Sequence, residues 1–160
     1  MEGIKEYNMR IQRLKSTEEP PMELLLTADP SEENINEYLS NGQCYVVKED
    51  EFIIGVYVLV HTMRTKMELV NVAVLERYQG KGIGKKLIQH AIANVQLQGY
   101  RFIDVGTGNS SIHQLKLYQQ CGFRMVKIRR DYFIKNYDEP IYENGIQCRD
   151  MVRLSILLQS

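Results

Sequence analysis

A short glycine-rich turn between a predicted strand and a predicted helix constrains the fold of this chain most strongly. The turn, Gln79–Lys86, has three glycines in five residues and follows the apolar stretch Met67–Leu75. After it, Lys85–Gln98 places apolar residues at spacings of one, three and four, which predicts an amphipathic helix. Glycines at a helix N-terminus leave backbone N–H groups uncovered beside the positive end of the helix dipole. The segment therefore predicts a pyrophosphate site.

The glycine spacing excludes two common phosphate-binding motifs. A Walker loop requires Ser or Thr after Gly-Lys, whereas Lys86 follows Gly84-Lys85. A dinucleotide fingerprint that begins at Gly80 requires a third glycine where this chain has Lys85. The sequence therefore argues against a nucleoside triphosphatase and against a Rossmann domain.

The patterns along the chain predict a single α/β domain with a mixed sheet. Strands are predicted at 9–14, 43–48, 52–60, 67–75, 101–105, 123–128 and 151–158. Helices are predicted after Pro20-Pro21 and over 32–39, 85–98 and 111–120. We interpret residues 1–8 as a leader added for expression and 9–160 as the domain.

Two blocks of residues carry a more specific signal. The matching residues are Gln79, Gly82 and Gly84 in the first block, and Asn109, Tyr118, Gly122 and Phe123 in the second. At these positions the chain resembles the GCN5-related N-acetyltransferase (GNAT) superfamily, over roughly residues 53–157. The resemblance implies a GNAT-type acyl-CoA N-acyltransferase fold, with about seven strands and helices on both faces of the sheet.

A shorter segment, Ile128–Tyr132, is similar to the corresponding part of bacterial ribosomal-protein alanine N-acetyltransferases. Past Tyr132 this chain departs from those enzymes, because it has a longer insert over Ile134–Arg149. The acceptor of the acetyl group therefore stays open.

The superfamily resemblance implies acetyl-CoA as the co-substrate, with no metal. The end of the fourth strand would pair its backbone with the pantetheine arm, and the turn amides would bind the pyrophosphate. Asn109 would bond the pantetheine or hold its own loop. The implied cofactor-binding residues are Val72, Ala73, Val74, Gln79, Gly80, Lys81, Gly82, Ile83, Gly84, Lys85 and Asn109.

Acetyl transfer to an amine requires a neutral nucleophile, an oxyanion donor and a proton for the departing thiolate. The resemblance implies Tyr118 as the general acid and the backbone N–H of Val72 as the oxyanion donor. Glu68 is one candidate base, because alternation places it on an apolar strand face with Val70, Val72 and Val74. Asp104 is the other, because it matches the catalytic carboxylate of the ribosomal-protein enzymes. Either carboxylate would act through water.

The segment Arg129–Arg149 is too long for a simple turn and is rich in Tyr, Asp, Asn and Pro, which indicates a functional loop. Its carboxylates and aromatic rings suit a cationic small molecule and favour a free amine over a peptide N-terminus. The alternative is a catalytically silent GNAT-fold module that binds or senses acetyl-CoA. A homodimer through the insert or the last strand is a further possibility.

Composition limits the remaining function classes. Twenty Lys and Arg balance twenty Asp and Glu, which argues against nucleic acid and anionic membranes as partners. Apolar runs such as Ile53–Val60 are too short to span a bilayer, which takes about 20 residues. Three distant cysteines argue against disulfides and zinc knuckles, so we expect a cytoplasmic protein. The histidines show no ligand spacing, and His90 is assigned to the helix surface.

Overall fold

A computed structural model describes residues 10–159, so the predicted leader lies outside the described residues. The strands are β1 (Ile11–Arg13), β2 (Gln43–Glu49), β3 (Phe52–Met63), β4 (Lys66–Val74), β5 (Phe102–Gly108), β6 (Arg124–Arg129), β7 (Ile141–Glu143), β8 (Ile146–Cys148) and β9 (Met151–Leu157). The helices are α1 (Met22–Ala28), α2 (Glu32–Asn41), α3 (Ile83–Leu97), α4 (Ile112–Gln120) and α5 (Tyr132–Asn136).

Seven of these strands form one mixed sheet in the order β1-β2-β3-β4-β5-β9-β6. Neighbouring strands are antiparallel, except that β4 and β5 run parallel. The α3 helix makes the crossover that a parallel pair requires. β5 continues to Gly108, three residues past its predicted end, because its pairing with β9 extends to Gly108 opposite Met151. The predicted mixed α/β fold is confirmed.

Each face of the sheet has its own apolar core. Leu87, Ala91 and Val95 of α3 pack on one face with Tyr118 of α4. On the other face, Leu24 and Leu25 of α1 and Ile35 of α2 pack against Val46, Val56, Val58 and Ala73. The helices therefore lie on both faces, as predicted.

A β-bulge at Val70 shifts the alternation of side chains along β4. Residues after Val70 therefore point to the opposite face of the sheet from the one that regular alternation would give them. Val58 of β3 pairs with Asn71 and Leu59 with Leu69, so Val70 is the extra residue. Glu68 consequently lies on the face of α1 and α2, whereas Val72 packs toward the α3 core. The prediction that Glu68 and Val72 share a face of the sheet is wrong. It assumed that side chains alternate strictly along β4, whereas the extra residue Val70 interrupts that alternation.

β4 and β5 separate just beyond the bulge. Their last paired residues are Leu69 and Val105, although β4 continues to Val74 and β5 to Gly108. This splay opens a gap in the sheet at the level of the glycine turn.

The insert between β6 and β9 is folded, not an irregular loop as the sequence suggested. It contains the short helix α5 and a two-stranded ribbon of β7 and β8, whose turn has Asn144 and Gly145 at positive φ. These elements stand over the face of the sheet that α1 and α2 cover.

Candidate active site

The glycine turn has the backbone geometry of an exposed helix N-terminus. Gly80 and Gly82 have φ values of 77° and 82°, and α3 starts at the next residue, Ile83. A side chain at Gly82 would strain this left-handed conformation. The first turn of α3 carries no acidic residue, and Lys85 and Lys86 are exposed there. Because the first N–H groups of a helix have no intrahelical acceptor, the start of α3 presents backbone donors in a positive field.

A cavity of about 410 Å³, here called the glycine-turn cavity, extends from this turn to the splay between the strands. Its walls come from the end of β4, the glycine turn, the start of α3, one side of α4 and the end of α1. The lining residues are Thr27, Ala28, Val72, Ala73, Val74, Tyr78, Gln79, Gly80, Gly82, Ile83, Gly84, Lys85, His113, Gln114, Leu117 and Tyr118.

The backbone of β4 presents hydrogen-bonding groups to this cavity. The N–H of Leu75 donates to Ile54 of β3. Backbone directions alternate along a strand, so the amide groups of Val74 and Val72 point away from β3 and into the splay. The side-chain amide of Gln79 donates to the Val74 carbonyl at 3.0 Å, which agrees with that direction. The Val72 N–H is therefore aimed at the gap between β4 and β5.

Tyr118 of α4 lies where the glycine-turn cavity meets a second, larger cavity, and it lines both. Its ring packs edge-on against Phe123, with centroids 5.6 Å apart. Within residues 10–159 its hydroxyl has no hydrogen-bond partner. Burial raises the pKa of the Tyr118 phenol above its usual range, so the group stays protonated at neutral pH.

The second cavity, here called the insert cavity, has a volume of about 490 Å³. α1 and α2 form one wall, the insert forms another, and the polar side of β4, β5 and β9 forms the floor. Four carboxylates line it: Asp29, Glu37, Glu68 and Glu143. Arg153 brings one permanent positive charge. The lining side chains therefore carry a net negative charge, which suits a cationic ligand.

Hydrogen bonds join the two side walls of the insert cavity. Tyr137 of the insert donates to Asp29 at 2.9 Å and accepts from Asn34 at 3.4 Å. Asp29 also accepts from Tyr38 at 3.4 Å. Burial and the Asp29 charge raise the pKa of both phenols, so both remain donors. These contacts connect segments that are about a hundred residues apart in the chain.

Asn71 fixes the floor of this cavity to the α1 wall. Its side-chain amide donates to the carbonyl of Leu25 at 3.0 Å and to the Tyr38 hydroxyl at 2.8 Å. Asn71 is only 4% exposed, and it can face α1 only because the bulge at Val70 turns it there.

The two predicted base candidates, Glu68 and Asp104, are register partners of the parallel pair β4 and β5. Glu68 lines the insert cavity and accepts a short hydrogen bond from Arg153. Asp104 accepts from Ser155 at 2.5 Å and lies 3.7 Å from Lys66. Asp104 does not line either cavity. The structure thus brings Glu68, and not Asp104, to the space beside Tyr118.

Asn109 is committed to holding the insert. Its side-chain amide donates to the carbonyl of Gln147 at 3.1 Å. Its side-chain oxygen accepts from the N–H groups of Arg149 and Asp150 at 2.8 and 3.0 Å. Asn109 does not line the glycine-turn cavity, and these bonds connect it to the C-terminal end of the insert.

The insert contributes fewer acidic residues than the sequence suggested. Glu143 lines the cavity and accepts from the Ser111 hydroxyl, and Tyr132 and Tyr137 line it too. Asp131 instead lies 4.0 Å from Arg149, outside the cavity. Asp138, Glu139 and Tyr142 also lie outside it.

The comparison with known proteins identifies the family. The sequence model of the acetyltransferase (GNAT) family matches residues 9–123. The chain belongs to the GNAT acetyltransferase family. It is 51% identical to the N-acetyltransferase YvbK of Bacillus subtilis over 146 residues, which cover 91% of this chain and 94% of that protein.

Solved GNAT structures superpose closely on this chain. An IAA acetyltransferase from Bacillus cereus has a TM-score of 0.90 and 52% identity, over 94% of this chain and 99% of that one. A GNAT acetyltransferase from Elizabethkingia anophelis with acetyl-CoA bound has a TM-score of 0.93 and 43% identity, over 95% and 99%. The predicted superfamily and the predicted acetyltransferase activity are therefore confirmed.

The weaker resemblance to ribosomal-protein alanine N-acetyltransferases is also confirmed. The enzyme from Haemophilus influenzae is 34% identical over 89 residues, which cover 54% of this GNAT chain and 58% of that protein.

Among residues 10–159 no group of three or more His, Cys, Asp or Glu side chains could hold a metal ion. In the same range no helix is long and apolar enough to cross a bilayer.

Three residues of the site escaped sequence reasoning. Asp29 precedes Pro30 between two predicted helices, and Asn71 lies within a predicted strand. Arg153 is a charged residue in an otherwise apolar strand, opposite Gly106. The charge of Arg153 within this strand was the one sequence signal that could have indicated any of the three residues.

Proposed function

We propose that this protein transfers the acetyl group of acetyl-CoA to the primary amine of a small cationic molecule, by direct attack in a ternary complex. The observation that carries the proposal is that the glycine-turn cavity and the insert cavity meet. They share Thr27, Ala28, Val72, Gln114 and Tyr118. Two substrates bound in the two cavities would face each other at this junction, so no acetyl-enzyme intermediate is needed.

Acetyl-CoA occupies the glycine-turn cavity in this proposal. The N–H groups from Gly80 to Lys85 bind the pyrophosphate, and the unpaired backbone of Val72 to Val74 pairs with the pantetheine arm. This places the thioester beside the Val72 N–H, which then donates to the developing oxyanion. Gln79 holds the Val74 carbonyl and so helps to fix the strand end.

Tyr118 protonates the departing thiolate. Because burial raises its pKa, the phenol is protonated at neutral pH, and it gives up this proton only as negative charge develops on the departing sulfur. Its position at the junction brings the hydroxyl near both substrates.

Glu68 accepts the proton of the attacking amine through water. It lies four residues before Val72 on the same strand and lines the cavity that would hold the acceptor. Asp104 is the second candidate, but its bond to Ser155 and its place outside the cavity favour Glu68.

The insert cavity favours a small cationic amine over a peptide N-terminus. Asp29, Glu37 and Glu143 each lie more than 4 Å from any cation of residues 10–159, so they are available to an ammonium group. Aromatic rings of Tyr132 and Phe133 add cation–π surface. The bridge from Tyr137 to Asp29 joins the two side walls of the cavity, which favours a compact acceptor over an extended one.

The proposal is tested by thiol release from acetyl-CoA across a panel of diamines, amino acids, monoamines and N-terminal peptides. We expect amine-dependent release that is fastest for small diamines. Tyr142→Phe, which changes an exposed tyrosine outside the cavity, is the matched control for Tyr118→Phe. Binding of acetyl-CoA without release for any amine would support the alternative of a silent binding module. Release only with peptides would overturn the small-molecule acceptor.

A further inference from the structure

Arg153 reaches Glu68 across an entire intervening strand. Arg153 lies on β9 and Glu68 on β4, and β5 runs between them. Strands two positions apart in a sheet are about 10 Å apart. A hydrogen bond between the two side chains therefore requires an extended arginine that lies flat on β5.

Gly106 makes this path possible. It is the residue of β5 directly opposite Arg153. A Cβ at position 106 would lie 2.8 Å from Nη1 of Arg153 and 2.7 Å from Sδ of Met151. Both distances are below van der Waals contact, so any other residue here would displace the guanidinium or the methionine.

The guanidinium is held on both sides. Nη2 donates to Oε1 of Glu68, and Nη1 lies 3.8 Å from Sδ of Met151. The side chains of Arg153 and Glu68 are 14% and 22% exposed. The pair is partly shielded from water, so its attraction is screened less than that of a fully exposed ion pair.

We propose that Arg153 is a positioning residue that orients the Glu68 carboxylate for proton transfer, and that the missing side chain at Gly106 leaves room for the guanidinium to do so. The inference rests on the proposed role of Glu68 as the proton acceptor. A base that acts through one water needs its oxygen within hydrogen-bond reach of that water, so its orientation matters. Oε1 accepts the bond from Arg153, and within residues 10–159 Oε2 accepts no hydrogen bond, so Oε2 is the oxygen that we assign to the bridging water.

The experiment compares kcat and both KM values of Arg153→Met, Arg153→Lys, Glu68→Gln and the Glu68→Gln/Arg153→Met double variant. The assay is thiol release with the best amine of the panel. We expect Arg153→Met to lower kcat about tenfold or more, since small misplacements of a catalytic group are costly. KM for acetyl-CoA should not change, and Arg153→Lys should recover part of kcat. The double variant should be no slower than Glu68→Gln alone.

Lys127→Met is the matched control, because Lys127 is the register partner of Arg153 on β6 and does not line either cavity. It removes a neighbouring positive charge without touching Glu68, and we expect wild-type kinetics. Gly106→Ala keeps the arginine but obstructs its path, and it should reproduce the loss of kcat. This variant also keeps the test decisive if circular dichroism shows that Arg153→Met does not fold.

Three results would overturn the inference. The first is wild-type kcat in Arg153→Met. The second is a change in KM for the amine alone, which would mean that Arg153 binds the acceptor directly. The third is a loss in the double variant equal to the product of the two single losses. Wild-type kcat in Glu68→Gln would instead refute the base assignment of the proposed function, whatever Arg153 does.

Discussion

The Tyr57 hydroxyl and Nδ1 of His90 share a hydrogen bond, with 2.6 Å between the two atoms, in the layer between the sheet and α3. Asn94 donates to the same hydroxyl at 3.2 Å, so the phenol proton is directed at His90. Nδ1 of His90 is therefore the acceptor, which requires the neutral imidazole. The sequence had assigned His90 to the helix surface. The structure corrects this, because Tyr57 is fully buried and reaches the ring from inside.

This network predicts a loss of stability in mild acid. Burial lowers the pKa of folded His90 below the usual histidine value of about 6.5. The unfolded chain therefore binds more protons between the two pKa values, and the free energy of unfolding falls as pH drops below about 6.5. Thermal melts from pH 8 to pH 5 should show this fall. His90→Asn keeps a hydrogen-bond acceptor but does not titrate, so its melting temperature should depend less on pH. The same pH dependence in His90→Asn and in the wild type would contradict the role assigned to His90.

Tyr118→Phe should separate catalysis from folding and from cofactor binding. The hydroxyl has no hydrogen-bond partner within residues 10–159, so its removal should leave the melting temperature nearly unchanged. Loss of a general acid typically costs about 10²–10⁴-fold in rate. Steady-state thiol release should therefore fall by about two orders of magnitude, while the Kd for CoA measured by calorimetry stays the same. Equal turnover in the variant would refute the role of Tyr118.

Gly82→Ala and Gly84→Ala should differ, although the two glycines are two residues apart. Gly82 has a φ of 82°, where a Cβ costs about 1–3 kcal/mol, so the alanine should lower stability or distort the turn and weaken CoA binding. Gly84 lies in α3, and a Cβ there would meet Leu117 and Val74 at ordinary distances of 3.7 and 3.8 Å. Denaturant melts and CoA titrations of both variants provide the comparison. A Gly82→Ala protein with wild-type stability and wild-type CoA affinity would contradict the argument.

Tyr137→Phe should loosen the wall of the insert cavity. The substitution removes the donor to Asp29 and the acceptor for Asn34 but keeps the ring. A lost hydrogen bond to a charged group costs about 1.5–3 kcal/mol, so KM for the amine should rise about tenfold or more. KM for acetyl-CoA should not change, because Tyr137 does not line the glycine-turn cavity. A rise in KM for acetyl-CoA would argue against separate cavities.

The sequence by itself predicted the seven strands of the main sheet, the helices α1 to α4 and the glycine turn before α3. Periodicity located the strands and the long α3 helix, because a buried face imposes a period of 2.0 or 3.6 on the chain. The glycines at 80 and 82 have the positive φ values that a tight entry into α3 requires. These signals are local, so a single stretch of sequence contains them.

Only the tertiary structure decided which side chains share a cavity. The bulge at Val70 turned Glu68 and Val72 to opposite faces, and a bulge depends on the partner strand β3 and not on β4 alone. The bond between Asp29 and Tyr137 joins residues 108 positions apart, and that between Glu68 and Arg153 joins residues 85 positions apart. Such pairs arise from the order of strands in the sheet, which residue spacing along the chain does not encode.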